Sequence, residues 1–313
     1  MGCCGRFWRD FRQEWSFRNC KLEHPDPHLF LASEWQGGEL RGVKLWYALY
    51  RWAWAVYHFS WWVASLVSEG GVDSSIGRKA YHFIYLTNWS YISIVVMTTT
   101  QATIVTLAYL QGRGNPSPPK TMKARLKVLW VMQNLVYLPA LLITAAYWSA
   151  IYDPLSQYYG FNAEVHIINS VYVILDLLIA AGPVRIMHFY LPLVFMFIYA
   201  AFTLVYWAAV MRHGAPHPKG SFGYIRLILD WEQPFEAHAC PFVCLAAPIF
   251  SPLMQAVVWL ITWGRRTSRE QCCQRSGSAN LPHENTMDVI MARDASTDSV
   301  AANVNAGANN LLV

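Results

Sequence analysis

Residues 163–211 read AEVHIINSVYVILDLLIAAGPVRIMHFYLPLVFMFIYAAFTLVYWAAVM, two apolar runs joined by the short turn GPVR. A helix needs about 20 apolar residues to cross the roughly 30 Å hydrocarbon core of a bilayer. The second run, residues 189–210, reaches that length without a charge. The first run is shorter and contains His166, Asn169 and Asp176, which fall within about 80° of arc at about 100° per residue. The pattern predicts two membrane helices, the first with a polar stripe turned away from lipid.

The composition of the whole chain is that of a membrane protein. It is 55% hydrophobic, 15% aromatic and only 14% charged, whereas soluble domains average about 25% charged residues. The predicted class is therefore an all-α, polytopic integral membrane protein with six transmembrane helices. The six apolar runs are residues 45–67, 83–110, 128–152, 165–181, 189–210 and 242–263.

The distribution of positive charge predicts the orientation. With the amino terminus in the cytosol, 18 of the 24 Lys and Arg residues fall on inner segments, five fall on outer loops, and Arg51 lies within the first run. This asymmetry favours both termini inside. We divide the chain into a basic, aromatic cytosolic arm (1–44), a six-span membrane domain (45–263), and a basic collar with a disordered tail (264–313).

Several functional classes are excluded by the same patterns. The positive residues flank apolar spans, which indicates membrane orientation and excludes a nucleic-acid partner. The seven cysteines have neither disulfide-scaffold nor zinc spacing, and the chain has no Gly-rich phosphate loop. We therefore predict no metal site and no cofactor; the expected partners are membrane lipids and other membrane proteins.

The arm carries a candidate lipidation site. Gly2, Cys3 and Cys4 resemble an acylation signal, although Arg6 replaces the Ser or Thr of the myristoylation pattern. The alternative is that Cys3 and Cys4 are ordinary cytosolic thiols. We expect the arm to lie on the membrane surface, being too polar to insert, and Arg51 to extend its side chain to the cytosolic interface.

The second run has its own polar stripe. At helical spacing one face holds Thr87, Ser90, Tyr91, Ile94, Thr98 and Gln101. Under the predicted orientation Thr87 and His166 lie at one depth, as a nucleophile and its general base would. Asn88 or Asn169 would then donate to an oxyanion.

Structural interpretations compete with this catalytic one. Thr side chains often bond back to their own helix, and a His near the start of a span can sit in the headgroup layer. Asp176 lies so deep that it needs a partner or a proton. It is either a neutral structural group or the cation or proton site of a transporter.

The chain resembles the rolling stone family of six-span membrane proteins. The resemblance rests on FLASEWQ, YRWAWAVYHF, YLTNWSY and GPVRIMHFYLPLVFMFIYAAFTLVYW, and it covers roughly residues 28–263. It implies a plasma-membrane protein, rather than one of the endoplasmic reticulum, that acts in cell–cell fusion or differentiation, particularly of myoblasts, without an established biochemical activity.

A more distant resemblance implies chemistry. YLTNWS, LPALLITAAYWSAIYD and EVHIIN are similar in order and spacing to the androgen-induced family of membrane hydrolases, which cleave fatty-acid esters of hydroxy fatty acids. By matching those motifs, Thr87 would be the nucleophile and His166 the base of an intramembrane hydrolase. This is the alternative to a non-enzymatic function.

Overall fold

The structure is a computed structural model that describes residues 3–36, 42–68, 82–112, 121–151, 164–209, 231 and 247–279. The chain divides into two compact units, residues 1–265 and 266–313, and every contact discussed below lies within the first. Seven α-helices are present in the described residues: α1 (Cys3–Glu14), α2 (Leu45–Ser68), α3 (Leu86–Gly112), α4 (Ala124–Ala146), α5 (Asn169–Ile179), α6 (Tyr190–Ala209) and α7 (Ala247–Ala279).

Short turns flank several of these helices. A single π-helical turn, Tyr147–Ile151, continues α4, and another, Glu164–Ile168, leads into α5. The 3-10 turns are Phe17–Cys20, Pro27–Leu31, His82–Ile84 and Ile186–Phe189. The described residues contain no β-strand, and the predicted all-α class is confirmed there.

Four of the six predicted spans coincide with helices long and apolar enough to cross a membrane. These are Leu86–Gly112, Ala124–Ser149, Ile186–Ala209 and Ala247–Glu270. The first predicted span forms the 24-residue helix α2, whose Arg51, His58 and many Trp and Tyr side chains lower its hydropathy. The fourth forms only the shorter apolar helix His166–Ile179. The number of crossings and the orientation of the termini stay predictions.

The polar stripes of α3 and α5 face the protein interior, as predicted. His166, in the π-turn before α5, is 8% exposed, and on α5 Asn169 is 1% and Asp176 0% exposed. On α3, Ser90, Tyr91, Ile94, Thr98 and Gln101 are buried and Thr87 is half-buried. Helix α3 packs against α2 and α4, and α4 also contacts α5 and α6, so α4 lies at the centre of the bundle.

The arm is not a surface segment throughout. Phe30 and Leu31 pack against Trp130 and Leu126 of α4 in a buried cluster, so this part of the arm is covered by the bundle, and the position of the arm relative to the membrane stays a prediction. The reason lies in the apolar sequence FLA, residues 30–32, whose burial is favourable.

Helix α7 runs beyond the predicted end of the sixth span at residue 263. It reaches Ala279, and the first part of the predicted basic collar is therefore helical. The predicted disorder of the tail falls almost entirely on residues 280–313, which lie outside the described residues.

Candidate functional site

A buried ion pair lies at the meeting point of three helices. Arg51 of α2 is 3% exposed, Asp176 of α5 is 0% exposed, and the guanidinium donates to the carboxylate Oδ1. The same Nη1 also donates to Oε1 of Gln101 on α3 at 2.9 Å. The expectation that Arg51 extends to the cytosolic interface is wrong, because its position on α2 faces α3 and α5. Asp176 has the partner that a carboxylate at this depth requires.

Four tyrosines complete this buried charged centre. The hydroxyl of Tyr137 donates to Oδ2 of Asp176, and that of Tyr50 donates to Oδ1 at 3.4 Å. Tyr47 accepts from Nη2 of Arg51, whose guanidinium carbon lies 4.8 Å from the centre of the Tyr47 ring. Tyr172 donates to Oε1 of Gln101 at 3.2 Å. Both carboxylate oxygens are therefore satisfied without water. The charged centre comprises Tyr47, Tyr50, Arg51, Gln101, Tyr137, Tyr172 and Asp176.

The arm caps the carboxyl end of α5. The backbone N–H of Glu34 and the hydroxyl of Ser33 donate to the carbonyl of Ile179 at 2.9 Å and 2.8 Å. The indole N–H of Trp35 donates to the carbonyl of Leu178 at 2.8 Å. The last carbonyls of a helix have no partner within it. The arm supplies those partners, so α5 can end inside the protein.

Arg265 of α7 caps the same helix end from another direction. Its Nη1 donates to the carbonyls of Leu177 and Ala180, and its Nε lies 3.3 Å from a carboxylate oxygen of Glu34. Arg265 is 6% exposed and Glu34 is 8% exposed. A cation at a helix carboxyl end is favoured by the helix dipole, and Glu34 compensates its charge. The arm, α5 and α7 are thereby joined at one point.

A small cavity borders members of both ion pairs, Asp176 and Arg265. Its volume is about 10 Å³, which is room for about one water molecule. Amide side chains on its wall are already linked: Gln255 donates to Asn134 at 2.8 Å and to the carbonyl of Arg185 at 3.0 Å. The lining combines apolar residues of α4, α5 and α7 with the polar residues Gln133, Asn134, Tyr137, Asp176, Gln255 and Arg265.

The predicted catalytic residues lie elsewhere in the bundle. The ring of His166 stacks on Tyr147 with centres 3.6 Å apart and planes 3° apart. Its Nδ1 is buried and makes no hydrogen bond to the described residues. The π-turn that carries His166 packs against α3, where Thr87 lies half-buried in the first turn. The hydrogen bonds of the described residues do not join these two side chains, and their catalytic pairing stays a prediction.

The two candidate oxyanion donors have different surroundings. Oδ1 of Asn169 accepts from the hydroxyl of Thr144 at 3.3 Å and from the N–H of Ser170 at 2.7 Å, which ties α5 to α4. Asn88 is half-buried beside Thr87, and its backbone N–H bonds to Tyr85. The oxyanion function of both residues stays a prediction.

The candidate lipidation residues are at the margin of the described chain. Cys3 and Cys4 begin α1, and Gly2 lies outside the described residues. Acylation at these positions also stays a prediction.

Sequence reasoning missed the importance of Arg265, Glu34 and the tyrosines. One signal was present: the fourth apolar run is shorter than the others, so a helix formed by it would end inside the protein and need partners there. Which residues would supply them was not visible, because Arg265 has the sequence context of an ordinary stop-transfer collar.

The apolar helices and the charged centre define an all-helical, multi-pass membrane protein whose short helix α5 is held by buried polar groups. The chain belongs to the rolling stone family: the family model described as protein rolling stone matches residues 1–272. It is similar to Protein rolling stone from Drosophila melanogaster, 28% identical over 237 residues that make up 73% of this chain and 81% of the relative. No solved structure matches.

The family prediction is thus confirmed, and it extends further than expected. The match includes the arm from residue 1, whereas the sequence resemblance was assigned only from residue 28. This agrees with the buried position of residues 27–36 and their contacts with α5.

Proposed function

We propose that this protein is a six-span, plasma-membrane member of the rolling stone family that acts in cell–cell fusion or differentiation, particularly of myoblasts, without catalysis. The observation that carries the proposal is the family match over residues 1–272. Both termini face the cytosol in this proposal, in keeping with the excess of Lys and Arg on the inner segments.

The charged centre supports a scaffolding function over a carrier function. Both oxygens of Asp176 accept hydrogen bonds, and Arg51 neutralises its charge. A cation carrier needs a carboxylate that is available to its substrate. Asp176 instead connects α2, α3 and α4 to α5 through Arg51, Gln101 and Tyr137, which favours a fixed arrangement of the helices.

The short α5 can belong to a full crossing. Its apolar segment, His166–Ile179, extends about 21 Å at 1.5 Å per residue, short of a hydrocarbon core of about 30 Å. Non-helical backbone at membrane depth is tolerated where protein covers it. The arm covers the end of α5 through Ser33 and Glu34, so residues 180–185 can complete the crossing inside the bundle.

The test of fusion is deletion followed by rescue in fusing myoblasts. We expect deletion to lower the fusion index, and both the wild-type chain and Thr87→Ala to restore it at matched surface levels. An unchanged fusion index after deletion would refute the fusion proposal. Failure of Thr87→Ala alone, at a normal surface level, would refute the non-catalytic part and favour the hydrolase.

The topology has a separate test. Epitope tags at the two termini and in the loop at residues 153–163 are digested with protease before and after permeabilisation of the plasma membrane. We expect the loop tag to be cleaved in intact cells and both terminal tags only after permeabilisation. Termini on opposite sides would contradict six crossings.

A further inference from the structure

One side of the arm helix α1, which we call the docked edge, packs against α7 through Phe7 and Phe11. The Phe7 ring lies 5.2 Å from that of Trp263 and 6.1 Å from that of Trp259, and the Phe11 ring lies 5.9 Å from that of Trp259. These contacts fix the rotation of α1 about its axis. They also place it beside the last turns of the sixth predicted span, where the predicted topology puts the membrane–water interface.

The two acidic side chains of α1 accept hydrogen bonds from the bundle. Asp10 accepts the indole N–H of Trp263 at 3.1 Å, and Glu14 accepts the backbone N–H of Ile186 at 3.4 Å. Asp10 also forms ion pairs with Arg6 and Arg9 within the helix, at 3.7 Å and 3.5 Å. Both acids of α1 are therefore already engaged.

The other flank of α1 is aromatic and exposed. Trp8 is 53% exposed, Trp15 45%, and Phe17, just after the helix, 85%. Trp8 lies on α1, and Trp15 directly follows the last residue of the helix, Glu14. The centres of both rings lie close to that of Phe11, at 6.0 Å for Trp8 and 6.1 Å for Trp15. The exposed rings are therefore adjacent to the docked ring of Phe11. We call Trp8, Trp15 and Phe17 the aromatic flank.

Exposed basic residues are close to this flank in the sequence. Arg12, Arg18 and Lys21 are exposed, and the structure assigns them no acidic partner among the described residues. Large exposed aromatic rings bordered by unpaired cations are the pattern of helices that lie in the headgroup layer, where the rings enter the acyl boundary and the cations meet anionic lipid.

We propose that the aromatic flank, with Arg12, Arg18 and Lys21, is a binding surface for the anionic lipid headgroups of the leaflet next to the arm. The occupant is lipid because the charges are complementary and because docking on Trp259 and Trp263 holds α1 at interface level. A soluble partner would have to approach a surface that already borders the bilayer. Lipid contact would add a second attachment of the arm, independent of the contacts made by Ser33 and Glu34.

The test uses the full chain in proteoliposomes of phosphatidylcholine, with or without phosphatidylserine. Trp8→Cys, Trp15→Cys and the polar-side control Gln13→Cys are each labelled with an environment-sensitive fluorophore in a background whose native cysteines are serine. Quenching is measured with spin-labelled lipid and with aqueous iodide. We expect lipid quenching several-fold stronger at positions 8 and 15 than at 13, increased by phosphatidylserine and reduced by salt.

Charge variants separate lipid binding from a folding defect. Arg12→Glu with Arg18→Glu should reduce quenching at position 8 in phosphatidylserine vesicles to its value in phosphatidylcholine, whereas Gln13→Glu should not. Equal lipid quenching at positions 8 and 13 would overturn the proposal. So would a position 8 label shielded from both quenchers, since a protein partner or a second copy of this chain would then cover the flank.

Discussion

Arg51 of α2 and Asp176 of α5 form an ion pair in the interior of the bundle, although 125 residues separate them in the chain. The pair joins the two apolar helices that hydropathy and length alone do not mark as spans. Each charge would be costly in a bilayer without the other. The ion pair therefore links the two predicted spans that are weakest by sequence.

Removing one member of this pair should be far more damaging than removing both. Arg51→Met leaves Asp176 buried without its counter-charge, and we expect a loss of about 3–5 kcal/mol in stability. Arg51→Met with Asp176→Leu should recover much of that loss. Thermal unfolding of the detergent-solubilised protein measures this, with the exposed Val56→Met as a control. A double variant no more stable than the single one would contradict a direct pairing.

The tyrosine hydroxyls should differ in their contribution. Tyr137→Phe removes the donor to Oδ2 of a buried carboxylate and should cost about 1–3 kcal/mol. Tyr50→Phe removes a long bond of 3.4 Å to Oδ1, which Arg51 also satisfies, and should cost less. The two midpoints of unfolding are compared under the same conditions. A larger loss for Tyr50→Phe than for Tyr137→Phe would contradict the hydrogen bonds assigned to Asp176.

Exchanging the charges of Glu34 in the arm and Arg265 in α7 should disrupt the contact between them. Arg265→Met should expose the arm to limited proteolysis, because it removes the ion pair with Glu34 and the donor to the carbonyls of Leu177 and Ala180. Glu34→Arg with Arg265→Glu should not restore protection, since a carboxylate cannot donate to those carbonyls. Trp35→Phe, which removes one N–H donor from an exposed ring, is the mild control. Full protection in the exchanged variant would show that charge pairing alone holds the arm.

The non-catalytic proposal predicts no labelling of the purified protein by a serine/threonine-hydrolase activity probe. If the resemblance to membrane hydrolases did describe this chain, Thr87→Ala and His166→Ala would each abolish labelling. Thr99→Ala would preserve it, because the Thr99 hydroxyl only bonds back to Val95 within α3. Labelling with this pattern would establish the enzyme and refute the non-catalytic proposal.

The register of α1 predicts which cysteine is acylated. By sequence spacing alone, Cys4 comes one helical turn before Trp8 of the aromatic flank, and Cys3 comes one turn before Phe7 of the docked edge. Acyl exchange on protein from mammalian cells should therefore lose most of its signal in Cys4→Ser and little in Cys3→Ser. The opposite order, or no signal in the wild-type chain, would contradict this assignment.

The amino-acid sequence by itself determined the all-α class, the family and the inward faces of two helices. Hydrophobic periodicity is local information: His166, Asn169 and Asp176 recur at helical spacing, and burial of polar groups away from lipid follows from their cost in hydrocarbon. The same reasoning required a partner for Asp176, but it did not identify one, because the spacing of residues along one helix carries no information about the residue opposite.

Only the tertiary structure decided which groups meet. Arg51 and Arg265 have sequence contexts typical of interface cations, yet both are buried, one on Asp176 and the other on Glu34 and the carboxyl end of α5. The arm reads as polar, yet its apolar residues 30–32 pack against α4 while Ser33 and Glu34 cap α5. The physical reason is that a short helix buried in a bundle leaves carbonyls unsatisfied, and distant parts of the chain must supply their hydrogen bonds.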